Sequence, residues 1–172
     1  GYYPLNGNAN DVTSYANNGV MTSITSATGR CGESNTALSF NGTSSFVEIP
    51  DASQIRPEYL TLSVWVKPTS KSSQHIIGKS VFATSQNEQF SLGFNYPGVE
   101  GQGIYGGVKT NVPNACSTPG NYFALARSTE PIATNEWQLI LMTFDGTTVK
   151  TYRNEVLIKT TQNSATTIAN CL

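Results

Sequence analysis

Charge is scarce in this sequence: Asp, Glu, Lys and Arg make up only 12% of 172 residues, and the formal net charge is -1. So few Lys and Arg build no basic field, which excludes nucleic acid and anionic membrane surfaces as partners. No apolar run reaches the roughly 18 residues of a membrane-spanning helix. The chain also opens on Gly1-Tyr2-Tyr3-Pro4-Leu5 without a signal-peptide pattern, as a mature or excised product would. Histidine occurs once, at His75, with no Ser or Cys pattern beside it that would mark a nucleophile, so it reads as a strand surface residue. Cysteine is limited to Cys31, Cys116 and Cys171. With no CxxC spacing among them, a zinc site is excluded, and one disulfide plus a leftover thiol is the simplest oxidised state. Spacing alone does not fix the pairing. Our assignment is Cys116 with Cys171, and a leftover thiol would be available for an intermolecular bridge.

A sustained helical period is missing too, and strand patterning takes its place. In Leu60-Thr61-Leu62-Ser63-Val64-Trp65-Val66-Lys67-Pro68, the residues Leu60, Leu62, Val64 and Val66 share one face at period two. Thr61, Ser63, Trp65 and Lys67 take the other, and Pro68 ends the run. The stretch Trp137 to Phe144 is apolar on both faces, which predicts a strand in the middle of a sheet with material packed on each side. Further strands are predicted at Tyr2 to Leu5, Val20 to Thr22, Ala37 to Phe40, Ser45 to Ile49, Gln74 to Lys79, Gln89 to Phe94, Gly103 to Lys109 and Tyr122 to Ala126. Asn41-Gly42-Thr43-Ser44 reads as a hairpin turn, and Asp145-Gly146 and Asn154-Glu155 close a three-strand meander running to Lys159. Asp51 to Tyr59 is a connector with room for one helical turn. The pattern predicts one all-β domain over 1–172, a two-sheet antiparallel sandwich.

Three segments bear on binding. The loop from Asn6 to Ser14, with Asn17-Asn18-Gly19, concentrates the side-chain oxygens that a hard cation takes in sets of six to eight. An Asx-turn loop that satisfies its own backbone accounts for the same residues. Gly101 to Gly106 matches GxGxxG, but no helix follows a strand there, so a nucleotide site is excluded. Tyr96, Tyr105, Tyr122, Asn95, Asn111 and Asn121 lie in or beside loops, and aromatics with amides are the residues that stack on and hydrogen-bond to sugars. No strand carries the pair of carboxylates at alternate positions that glycoside hydrolysis ordinarily uses, so catalysis is not expected.

Four blocks resemble the laminin G-like, concanavalin A-like jelly roll in its bacterial-type branch. They are Tyr3 to Asp11 with Asn17-Asn18-Gly19; Ala37 to Gly42; Leu60 to Pro68; and Glu136 to Asn154. The resemblance implies a jelly-roll sandwich with rim loops open to ligands, and a structural calcium near the first loop. Its candidate ligands are Asn8, Asn10, Asp11 and Asn18, with Asp11 the single carboxylate. Glu155 stands where the family usually has Gly, so that hairpin is expected to use another turn geometry. The family also runs on for a further strand or two, so the resemblance implies a fragment, a permuted or shortened sandwich, or a subunit whose open edge takes its missing strand from a neighbour. The expected function is an extracellular, non-catalytic recognition or adhesion module for carbohydrate or a protein surface. The alternative is a structural subunit of a surface filament, joined by strand donation or a disulfide.

Overall fold

A computed structural model describes residues 1–80, 88–95, 103–110, 123–163 and 167–169. The chain forms two compact units, Gly1–Arg56 and Pro57–Leu172. In the first, β1 (Val20–Thr22) pairs with β4 (Phe46–Glu48), and β2 (Thr25–Ala27) pairs with β3 (Ala37–Ser39), as two antiparallel ribbons. The hairpin expected across Asn41 to Ser44 therefore does not form. Asn41 Oδ1 accepts the backbone N–H groups of Thr43, Ser44 and Ser45, and Gly42 takes φ +75°, so the loop passes the chain from one ribbon to the other. Tyr2 to Leu5 is not a strand either. Pro4 offers no N–H, and Leu5 sits at φ +59°, outside the extended region that a ladder requires. The connector holds a single 3-10 turn, Ser53–Ile55.

The second unit contains β5 (Leu60–Val66), β6 (Gln74–Ser80), β7 (Glu88–Phe94), β8 (Ile104–Lys109), β9 (Phe123–Arg127), β10 (Gln138–Phe144), β11 (Thr148–Arg153) and β12 (Val156–Gln162). They build two four-stranded antiparallel sheets, in the orders β12-β11-β10-β5 and β6-β7-β8-β9. β10 lies inside its sheet, as its two-faced apolar run predicts, and pairs with β5 from Gln138 opposite Val66 to Phe144 opposite Leu60. The two sheets face each other as a sandwich, the all-β architecture expected from the sequence.

Alternation decides what lies between the layers. Ile140, Met142, Phe144, Val149 and Leu60 point inward from one sheet, and Phe90, Leu92, Phe94, Ile104, Val108, Ala124 and Ala126 from the other. Fully burying one such Val, Leu, Ile or Phe side chain stabilises by roughly 1.5–3 kcal/mol. An exposed ion pair such as Arg153 to Glu130, at 2.8 Å, contributes only about 0–1 kcal/mol. The core therefore holds the layers together. The layers approach each other closely at Gly106: a Cβ there would lie 2.5 Å from Met142 Sδ and 2.8 Å from Thr151 Cγ2. At one side of the sandwich Thr161 Oγ1 of β12 donates to the Leu125 carbonyl of β9 at 3.0 Å, linking the two edge strands.

Candidate functional site

Trp65 is the large side chain that the alternation of β5 turns away from the core. It is 43% exposed, so no second layer buries it, contrary to what is commoner for a tryptophan in such a strand. Its register partner on β10 is Leu139, and two residues before Leu139 the chain carries Trp137 on the same outward side. The turn between β11 and β12 completes the ring. Trp65, Trp137, Leu139, Asn154 and Glu155 together line an open hollow of about 290 Å³ on the outer face of the β12-β11-β10-β5 sheet.

The turn is held against the hollow by a reciprocal pair of bonds: the Asn154 N–H donates to the Leu139 carbonyl at 2.8 Å, and the Leu139 N–H donates to Asn154 Oδ1 at 2.9 Å. Asn154 has φ +49° and Glu155 φ +70°. Two successive left-handed residues define the type I′ hairpin turn, whose twist matches that of the flanking strands. The expectation of a different geometry at Glu155 is thus corrected. The usual turn is kept, with a side chain in a conformation that favours glycine. Arg153, the residue before, donates to the Pro131 carbonyl and pairs with Glu130. Trp137, Leu139, Asn154 and Glu155 figured in the sequence only as strand and turn residues, not as a site. The clue to them was parity: Trp65 shares its face with Thr61, Ser63 and Lys67, so whatever lay opposite it on β10 would share an exposed face too.

The residues expected to bind ligand lie elsewhere. Tyr105 is fully buried on β8, so its ring presents no stacking face to solvent and the assignment of a ligand-binding role to it is corrected. Its ring lies over Gly93, where a Cβ would meet Tyr105 Oη at 2.6 Å. The hydroxyl is 3.2 Å from His75 Nδ1, with the rings edge to face. The absence of a side chain at Gly93 is what makes room for the phenol. Asn95 is also buried, its backbone at φ +47°, and its Nδ2 donates to the Lys71 carbonyl; this too is a structural position and not a rim contact. Gln89, Ser91 and Lys109 share the Tyr105 face of the β6-β7-β8-β9 sheet and are buried as well, and burial lowers the Lys109 ammonium pKa from its ordinary value. Tyr96, Asn111, Asn121, Tyr122, Cys116 and Cys171 lie outside the described residues. Cys31 is exposed.

In the first unit, the proposed cation ligands are engaged with the chain itself. Asp11 accepts four hydrogen bonds, from the N–H of Tyr2 (2.9 Å), the N–H and Oγ1 of Thr13 (3.0 and 2.8 Å) and the N–H of Asn17 (3.2 Å). These donors, the Tyr2 N–H foremost, hold the carboxyl well below its ordinary pKa against the opposing effect of desolvation. Asn18 Oδ1 accepts the Asp11 N–H and Asn8 Oδ1 accepts the Asn10 N–H, both at 2.9 Å; Asn10 is exposed. Calcium takes six to eight oxygens, and here it would have to displace N–H donors that already surround the one carboxylate. The residues suit an Asx-stabilised loop and do not fit a calcium shell. The same carboxylate, after burial, raises the Tyr3 hydroxyl pKa, and that hydroxyl donates to the Asn17 carbonyl at 2.8 Å.

Comparison with known proteins agrees with this architecture. A laminin G family model, described as the concanavalin A-like lectin/glucanases superfamily, matches residues 41–170. The chain belongs to that superfamily. Among solved structures, it is similar to domain 4 of AbnA, a GH43 extracellular arabinanase from Geobacillus stearothermophilus, in complex with arabinotriose. The identity is 19% and the TM-score 0.67, over 97% of this chain and 79% of that one. No curated relative matches. The superfamily name covers lectins and glucanases alike, so the fold alone does not choose between binding and hydrolysis. Among the described residues, no helix is long and apolar enough to cross a membrane.

Proposed function

We propose that this chain is a non-catalytic, extracellular carbohydrate-recognition module that seats a sugar ring in the Trp65–Trp137 hollow. The observation that carries the reading is the outward Trp65, kept 43% exposed at a cost in solubility, beside a second tryptophan and a polar turn. Indole faces pack on the C–H faces of a sugar while the polar rim meets its hydroxyls, the usual division of labour in a small-molecule site. The lining carries a single carboxylate, Glu155, whereas glycoside hydrolysis ordinarily uses two flanking the scissile bond. The neighbour's ligand makes arabinotriose the first probe. Calorimetric titration with arabino-, galacto- and gluco-oligosaccharides should give binding that Trp65→Ala weakens about tenfold or more, the equivalent of roughly 1.4 kcal/mol of lost packing. Unchanged affinity in Trp65→Ala would move the site away from this hollow, and release of reducing ends would overturn the non-catalytic reading.

A second reading has support of its own. Val156 and Leu157 are 65% and 50% exposed on the edge strand β12, a surface suited to strand addition or self-assembly in a filament. Sedimentation across a hundredfold range of concentration tests it: higher oligomers lost in Leu157→Lys support assembly, and a monomer throughout refutes it.

A further inference from the structure

We infer that Glu155 selects the sugar, admitting rings without acidic substituents and turning away uronic or sulfated ones. The inference rests on the reading of the hollow as a sugar seat. Its first support is strain. Glu155 holds φ +70° in a two-residue turn, where a Cβ crowds the following carbonyl and glycine would fit freely. No local interaction offsets this, because among the described residues the carboxylate makes no hydrogen bond or ion pair. Backbone strain of this kind persists at ligand clamps, where the side chain serves something outside the fold.

The second support is the count of donors and acceptors around the hollow. Asn154 Oδ1 already accepts the Leu139 N–H and keeps at most one neutral lone pair for a ligand, beside its amide hydrogens. The two tryptophans add apolar faces, but no acceptor. Glu155 is thus the one charged acceptor in the lining, and its only charge. A sugar hydroxyl donating to that carboxylate makes a charge-assisted bond. A uronate or sulfate brought to the same wall meets a like charge, which suppresses the wrong partner.

The test uses the full chain, titrated with matched oligosaccharides that differ at C6, galactotriose against trigalacturonate, and with arabinotriose. The wild type should bind its preferred neutral ring about tenfold or more tightly than a uronic counterpart, the effect of one bond to a charged group. In Glu155→Gln, which keeps the shape and removes the charge, the neutral-to-acidic ratio should fall toward one. Glu155→Gly should weaken neutral binding by roughly tenfold while raising the melting temperature, a combination that a purely structural role would not produce. A neutral-to-acidic ratio left unchanged by Glu155→Gln, or a wild-type preference for uronates, overturns the inference. Trp65→Ala separates the two failures. If it abolishes binding while Glu155→Gln leaves the ratio intact, the sugar seat stands and only the selector role falls. If no saccharide binds, both fall.

Discussion

Adjacent residues in one turn should respond to glycine with opposite signs. In the β11–β12 turn, Glu155 at φ +70° carries the steric penalty of a left-handed L-residue, about 1–2 kcal/mol. Replacing it with glycine relieves that strain but gives back about 0.4–1 kcal/mol in unfolded-chain entropy. The net gain is roughly 0.5–1 kcal/mol, or about 1–4 °C in melting temperature for a domain of this size. Asn154 differs although its φ, +49°, is similar. Asparagine tolerates the left-handed region, so glycine relieves little there, while the bond from the Leu139 N–H to Asn154 Oδ1 is lost. That bond is worth about 0.5–1.5 kcal/mol, and the entropy cost adds to it, so Asn154→Gly should destabilise by about 1–2 kcal/mol. Urea unfolding at neutral pH, analysed by linear extrapolation with equal slopes, reads both changes. A fall in stability in Glu155→Gly would refute the reasoning, because it would mean that the glutamate earns its place through contacts within the fold.

Three further outcomes follow from the same geometry. Gly106→Ala places a Cβ 2.5 Å from Met142 Sδ and should cost about 1–3 kcal/mol in urea unfolding, with part of the loss restored by Met142→Ala; simple additivity of the two would count against the close approach. Asp11 has a folded pKa below its unfolded one, so its contribution to stability is full above the ordinary carboxylate range and is lost as pH falls through the folded value. The difference in melting temperature between wild type and Asp11→Asn should therefore be largest at neutral pH and shrink on acidification; a gap that widens in acid would reverse the assignment. Excess chelator should leave the melting temperature unchanged, since N–H and hydroxyl donors already surround the Asp11 carboxylate, and a drop on chelation reversed by calcium would show the opposite.

The second unit was legible because its signals are local and redundant. Period-two alternation in Leu60–Val66, the two-faced run of Gln138–Phe144 and the turns at Asp145-Gly146 and Asn154-Glu155 each limit the register on their own. They agree, and the sheet follows. In the first unit the signal was equally local but ambiguous: Asn41-Gly42 marks a reversal without saying which strands it joins, and pairing of β1 with β4 is a contact distant in sequence that no turn residue encodes. Site residues were harder for a related reason. Aromatic and amide side chains near loops look alike in sequence whether they face solvent or, like Tyr105, fill the space above a glycine on the neighbouring strand. The cross-strand partner distinguishes them. Tyr105 stands opposite Gly93, which leaves a gap for its ring; Trp65 stands opposite Leu139, which does not, and its indole is left against solvent. Parity along a strand places a residue on a face, and the size of its register partner decides whether that face is filled. For this chain the candidate site therefore depends on the β5–β10 register: a slip of one residue would turn Trp65 inward and remove the hollow.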